Sequence, residues 1–139
     1  MIILDTNVLS ELMREKALPR VLQWLSAQPS SSLFTTAISE AEVLYGVAAL
    51  PKGKRHKALE EAAMGLFQDF GGRILSFDSA AARHYAEIAI ARRLAGQPIS
   101  FADAQIVAIA RSRGAKVATR DGAGFAGCGV ELVDPWSDG

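Results

Sequence analysis

The 139-residue sequence contains one cysteine, Cys128, and two histidines, His56 and His84. A single cysteine cannot form an internal disulfide, so we do not expect a small secreted domain held together by disulfides. We expect instead a protein of a reducing compartment. The two histidines do not have a zinc-binding spacing. The sequence therefore gives no indication of a disulfide framework or a zinc site.

Long apolar runs and an excess of charge of either sign are also missing. No uninterrupted apolar stretch reaches the ~18 residues that span a bilayer, and no basic segment precedes the apolar start, so we expect a soluble cytoplasmic protein with no membrane contact. Lys and Arg together number 15, as do Asp and Glu, so any contact with a polyanion has to come from local clustering. Since half of the residues are hydrophobic, we expect residues 1–139 to form a single globular domain.

Short apolar runs alternate along the chain with longer segments of helical apolar periodicity. The short runs predict strands at residues 3–4, 33–35, 74–77, 116–119 and 130–133. The longer segments predict helices over residues 7–13, 19–29, 37–50, 58–70, 79–96 and 101–113, with a basic loop at 51–57. Strands that alternate with helices pair in parallel, so we predict an α/β fold, a three-layer α/β/α sandwich with a central, mostly parallel five-stranded sheet.

Carboxylates lie at the ends of the first and fourth predicted strands. Asp5 ends the first strand and Asp121 leaves the fourth, and Asp103 lies near the start of a helix. Ligands of open parallel sheets bind beyond the carboxyl ends of the strands, where the strand order reverses. If the first and fourth strands are neighbours, these acids come close together.

Clustered carboxylates are electrostatically unfavourable unless a cation lies between them. Two of them ~5 Å apart repel by about 3 kcal/mol at an effective dielectric constant of ~20. A divalent cation removes this cost, and an all-oxygen ligand set favours Mg²⁺ or Mn²⁺ over zinc. The pattern therefore predicts a metal site at the edge of the sheet.

Four segments in this order resemble the PIN-domain ribonucleases. They are LDTNVLSEL at residues 4–12, SEAEVLYG at 39–46, ISFADAQIVAIA at 99–110 and VATRD at 117–121. The resemblance runs from residue 1 to about residue 136 and is greatest to the VapC-type toxins of bacterial type II toxin-antitoxin pairs, in the FitB-like plasmid-stability branch. It implies a PIN-like fold and an endoribonuclease that hydrolyses RNA with metal-activated water, leaving a 5′-phosphate and a 3′-hydroxyl.

The resemblance also assigns roles to residues. It implies that four acids are catalytic and bind Mg²⁺ or Mn²⁺, namely Asp5, Glu42, Asp103 and Asp121. It also implies that three polar residues support these acids, namely Thr6, Asn7 and Thr119. Arg120 is a candidate for a phosphate contact. A homodimer is implied, as is a larger complex with a cognate VapB- or FitA-like antitoxin, whose C-terminal segment often places a basic side chain in the acidic pocket.

Several of these residues also have a purely structural interpretation. Asp5 can simply cap the first helix, and Asp103 follows Ser100 at the spacing of a capping box. Asp78, which follows the third strand, is interpreted as a helix cap. Glu40 competes with Glu42 for the functional role, and the resemblance alone selects Glu42.

Other side chains were interpreted from periodicity. Ala41, Leu44, Tyr45 and Ala48 keep a helical period, and we expect Tyr45 to line the same interior as Val21, Leu22, Trp24 and Leu25. The alternative is that part of this apolar stripe faces a partner. The basic segment 52–57 is predicted to be a solvated loop or, alternatively, an RNA-backbone contact.

Two other functions fit parts of the pattern. A haloacid-dehalogenase-like phosphatase also begins with a strand and an aspartate, but it needs a second aspartate two positions later, where this sequence has Asn7. A non-catalytic module that binds RNA or a protein partner would not need four intact acids.

Overall fold

A computed structural model describes residues 1–137 of the chain. Its five strands are all parallel, in the order β3-β2-β1-β4-β5. They are β1 (Ile2–Leu4), β2 (Leu33–Thr36), β3 (Ile74–Leu75), β4 (Lys116–Ala118) and β5 (Leu132–Val133). The predicted parallel five-stranded sheet is confirmed, although β3 and β5 are shorter than predicted.

Helices cover both faces of this sheet. They are α1 (Thr6–Leu12), α2 (Pro19–Ser26), α3 (Ala37–Ala48), α4 (Lys54–Phe70), α5 (Ser79–Leu94) and α6 (Phe101–Ser112). Alternation along β1 separates two cores, since Ile3 packs with residues of α5 and α6 while Leu4 packs with residues of α1 to α4. The predicted three-layer α/β/α sandwich is therefore confirmed. Within residues 1–137, no helix combines the length and apolar character needed to cross a bilayer.

The order of the strands brings the two predicted acidic ends together. The chain builds β1, β2 and β3 outward on one side and then returns to place β4 and β5 on the other. Leu4 pairs with Ala118, and the Asp5 backbone N–H donates to the Ala118 carbonyl over 2.9 Å. The strand order therefore reverses between β1 and β4, where ligands of such sheets bind.

The predicted basic loop is only partly a loop. Helix α4 begins at Lys54, so Lys54–Lys57 form its first turn, and nothing in their helix propensity opposes this. Ala58 is exposed, whereas Ala63 and Phe70 are the buried side chains of this helix. The segment is basic and solvated as predicted, but half of it is helical.

The inward face predicted for α3 is wrong. Tyr45 and Leu44 are 77% and 46% exposed, whereas the buried side chains are those of Ser39, Val43 and Val47. Apolar residues occur almost all around this helix, so periodicity alone could not select the packed face. Ala41 and Ala48 are exposed together with Tyr45.

The apolar face predicted for α2 is correct in part. Val21 and Trp24 are buried, and Leu25 packs on the same core, but Leu22 is 44% exposed. The helix begins with proline at its first position, as predicted.

Candidate active site

A cleft of about 710 Å³ opens where β1 and β4 end. All four predicted acids line it, although they come from four separate segments of the chain. Its polar lining comprises Asp5, Thr6, Asn7, Ser10, Glu11, Arg14, Glu42, Arg55, Asp103, Arg120 and Asp121. Its apolar lining includes Met13, Val43, Val47, Leu50, Leu59 and Trp136. Glu40 and Asp78 are not among the residues that line it.

Asp5 is the most buried of these acids, at 5% exposure. Its Oδ1 accepts from the Thr6 backbone N–H at 2.8 Å and its Oδ2 accepts from the Thr119 hydroxyl at 2.8 Å. The predicted role as helix cap is therefore confirmed, and the same carboxylate also lines the cleft. Capping and a role in the cleft are compatible, since the first turn fixes the orientation of the side chain.

Burial raises the pKa of Asp5 from its usual 3.8 to about 6. The hydrogen bonds from Thr119 and Thr6 lower this pKa, and the negative charges of Asp103 and Glu42 raise it. Three acids therefore act on one another electrostatically within the cleft. A carboxylate whose pKa is perturbed by burial and by like charges is typical of a functional site.

The Thr119 side chain joins the ends of β1 and β4. It is 1% exposed, and its hydroxyl donates to Asp5 while accepting from the Asn7 side-chain amide at 3.2 Å and from the Asp121 backbone N–H at 3.0 Å. The Asn7 Oδ1 accepts from the Arg120 backbone N–H at 3.3 Å. Each of these polar groups therefore has a partner, and the two strand ends are held at a fixed separation.

Glu42 reaches the cleft from helix α3. The Thr6 Oγ1 lies 2.7 Å from Glu42 Oε1 and 3.0 Å from Ser39 Oγ. Because a carboxylate only accepts, the threonine proton is donated to Glu42. Ser39, which is fully buried, was not singled out in the sequence.

Asp103 and Asp121 reach the cleft from a helix start and from the loop after β4. The Asp103 backbone N–H donates to the Ser100 hydroxyl at 3.2 Å, which confirms the predicted cap of α6. The Asp121 carboxylate accepts from the Gly124 backbone N–H at 3.1 Å, at the start of the 3₁₀ turn Ala123–Phe125. Asp78, in contrast, caps α5 beside the edge strand β3, as predicted.

The atoms available as metal ligands in the cleft suit a hard divalent cation, since the acids and hydroxyls offer only oxygen. As the side chains stand, however, no group of three or more Asp, Glu, His or Cys residues within 1–137 is close enough to hold one ion. Asp5 instead accepts hydrogen bonds from Thr6 and Thr119, Glu42 accepts one from Thr6, and Asp121 accepts one from Gly124. The ligands fit a metal by type, and the carboxylates would have to turn toward it.

Residues 2–126 match the PIN domain family. The chain belongs to this family. It is 39% identical over 137 residues to the VapC ribonuclease Y4jK of Sinorhizobium fredii, covering 98% of each chain. It is 39% identical over 142 residues to Toxin FitB of Neisseria gonorrhoeae, covering 99% of this chain and all of that one. Among solved structures, FitAB bound to an IR36 DNA fragment superposes with a TM-score of 0.91 at 39% identity, covering 98% of this chain and 96% of that one.

The cleft of this PIN domain includes residues that the sequence did not single out. Glu11 is 5% exposed, pairs with Arg14 at 3.1 Å and accepts from the Leu18 backbone N–H at 2.9 Å. A polar stripe at residues 7, 11 and 14 on one face of a helix was the available signal. Trp136, in contrast, lies beyond the matched segment, and no sequence pattern connected it with the acids.

Proposed function

We propose that this PIN domain is a metal-dependent endoribonuclease and the toxin of a toxin-antitoxin pair. The observation that carries the proposal is the gathering of Asp5, Glu42, Asp103 and Asp121 around one cleft at the switch point of the sheet. Y4jK is named a VapC ribonuclease and FitB a toxin, and both align with nearly the whole chain. A haloacid-dehalogenase-like phosphatase does not fit, since Asn7 is occupied by its hydrogen bonds to Thr119 and Arg120.

In this proposal the four acids would hold Mg²⁺ or Mn²⁺, and a metal bound there would supply the activation of water that hydrolysis of an RNA phosphodiester needs. The chain positions the acids. Thr119 and the Thr6 backbone N–H orient the Asp5 carboxylate, and the Thr6 hydroxyl orients Glu42. With a pKa of about 6, Asp5 is mostly ionised at neutral pH and available as a ligand.

A peptide from a VapB- or FitA-like antitoxin is the proposed partner at the same cleft. Apolar side chains such as Met13, Val47 and Leu59 line it beside the acids, so it suits a segment that carries both apolar and basic side chains. The FitAB structure, in which the relative is assembled on DNA, supports a comparable complex here. A small DNA-binding protein encoded next to this gene would be the expected antitoxin.

We also propose that residues 1–139 form one domain and that two copies associate in the cytoplasm. Both cores pack on the same sheet, which supports a single domain. The exposed Leu44 and Tyr45 give α3 an apolar surface that a second copy would cover.

A cleavage assay with matched variants tests the nuclease. We expect Asp5→Asn, Glu42→Gln and Asp121→Asn each to abolish Mn²⁺-dependent RNA cleavage without loss of folding. Asp78→Asn is the control, since Asp78 also follows a strand but lies outside the cleft, and asparagine remains a good helix cap. Full activity in Asp5→Asn/Asp121→Asn would refute the nuclease, and absence of Mn²⁺ binding in calorimetry would favour the non-catalytic module.

A further inference from the structure

Arg120 and Trp136 form a stacked pair at the cleft. The Arg120 guanidinium carbon lies 5.3 Å from the centroid of the Trp136 ring, and both residues line the same cleft as the four acids. A guanidinium over an indole face is attracted by the ring quadrupole, and tryptophan is the best partner for it. The pair therefore gives an exposed arginine a preferred position.

The Arg120 guanidinium stacks on Trp136 and does not pair with a cleft carboxylate. The cleft holds five acidic side chains, yet within residues 1–137 the Arg120 guanidinium makes no ion pair with any of them. Arg14, by comparison, is engaged by Glu11 at 3.1 Å. Among residues 1–137, Arg120 is thus a cleft cation without an acidic partner, and its guanidinium donors can bind an incoming anion.

Both members of the pair are fixed through their backbones. The Arg120 N–H donates to Asn7, so the residue is tied to the start of α1 beside Asp5. The Trp136 backbone N–H donates to the Asp134 carboxylate at 2.9 Å, and the Trp136 backbone carbonyl accepts from the Arg20 side chain at 3.0 Å. Its ring also packs on the core formed with α1 to α4. The indole is therefore a rigid support, although it lies ten residues after the end of the family match at residue 126.

We propose that Arg120 binds a backbone phosphate of the RNA strand in the cleft and that Trp136 is the positioning residue that holds it there. This inference rests on the proposed nuclease function. Arg120 lines the same cleft as the four acids, where the proposed nuclease function places the RNA strand, and the planar guanidinium suits two phosphate oxygens. The C-terminal segment thus completes the substrate site.

The test is a binding titration of a short single-stranded RNA of mixed sequence, with a chelator present and over a series of salt concentrations. We expect Arg120→Ala to weaken binding roughly ten-fold and to reduce the slope of log K against log salt by about 0.7, the value for one phosphate contact. Arg83→Ala is the control, since Arg83 is an exposed arginine of α5 outside the cleft. Trp136→Phe should retain most of the affinity, because it keeps an aromatic face, and Trp136→Leu should not.

Melting temperatures, measured in parallel, show that each variant is folded. Wild-type affinity and salt slope in Arg120→Ala, or an equal loss in Arg83→Ala, would overturn the inference. The inference would also be overturned if Arg120→Ala bound RNA normally but had lost affinity for the antitoxin, since Arg120 would then contact the antitoxin and not the RNA. Because RNA binding is measured without metal, these outcomes do not depend on whether the wild type cleaves RNA. The proposed function is tested separately, by the cleavage assay.

Discussion

Gly124 is expected to control the position of the Asp121 carboxylate. A Cβ atom at Gly124 would lie 2.3 Å from Asp121 Oδ2 and 2.9 Å from its Cγ. Since unstrained contacts between non-bonded heavy atoms are about 3.5 Å, Gly124→Ala has to displace the carboxylate by roughly 1 Å. Asp121 is exposed and its side chain can rotate, so we expect the acid to move and the fold to remain intact.

The Asp121 carboxylate has to turn to reach a metal ion, and the added methyl group occupies part of the space in which it turns. A misplacement of ~1 Å at a reacting centre can cost about a hundred-fold in rate. We therefore expect Gly124→Ala to cleave RNA roughly a hundred-fold more slowly than the wild type at saturating Mn²⁺, and to bind Mn²⁺ more weakly in calorimetry. Its melting temperature should stay close to that of the wild type.

Gly122→Ala is the matched control in the same loop. No atom lies within 4 Å of a Cβ at Gly122, and its φ of −59° and ψ of −37° suit any residue. The two variants carry the same added methyl group two positions apart. Equal cleavage rates and equal Mn²⁺ affinities in both would refute the reasoning about Asp121.

Three further predictions concern the buried Asp5, its donor Thr119 and the exposed face of α3. Because the pKa of Asp5 is about 6 in the fold against the usual 3.8, the folded protein retains a proton that the unfolded chain has lost, so metal-free stability should fall as pH rises from about 4 to 6. Asp5→Asn should remove this dependence, measured by urea denaturation with a chelator, and should add less to the free energy of unfolding at pH 7 than the ~3 kcal/mol of the full pKa shift, because its amide NH₂ would face a group that donates to Asp5, the Thr6 N–H or the Thr119 hydroxyl; an unchanged pH profile would contradict this. Thr119→Val should cost about 2 kcal/mol, since it leaves a buried carboxylate oxygen without its donor, whereas Thr119→Ser should be close to the wild type in the same experiment. Leu44→Glu should lower the mass measured by light scattering if α3 is the dimer interface, and Met64→Glu, on the exposed face of α4, should not.

The sequence predicted the acids at strand ends better than it predicted the acid on a helix. Asp5 follows an apolar run directly and Asp121 comes three residues after the end of another, so the parallel sheet brings both to one edge. Glu42 lies on a helix with apolar residues almost all around it, where the period could not select the buried face. Its position in the cleft depends on Val43 and Val47 packing inward, which only the tertiary structure shows.

Other features of the cleft depend on contacts that no local pattern encodes. Trp136 reaches Arg120 through the return of the chain after β5, and the need for glycine at 124 arises from the rotamer of Asp121. The start of α4 at Lys54 was missed because a run of basic residues is typical of a loop as well as of an exposed helix. These features require the coordinates of neighbouring segments, which the sequence does not give.

The hydrogen bond between Thr119 and Asp5 has a consequence for synthesis of the protein. It joins residues 114 positions apart, so the Asp5 carboxylate cannot be oriented by its Thr119 donor until residue 119 has left the ribosome. A nascent chain that stops short of residue 119 therefore lacks both this donor and Asp121, and its cleft is incomplete.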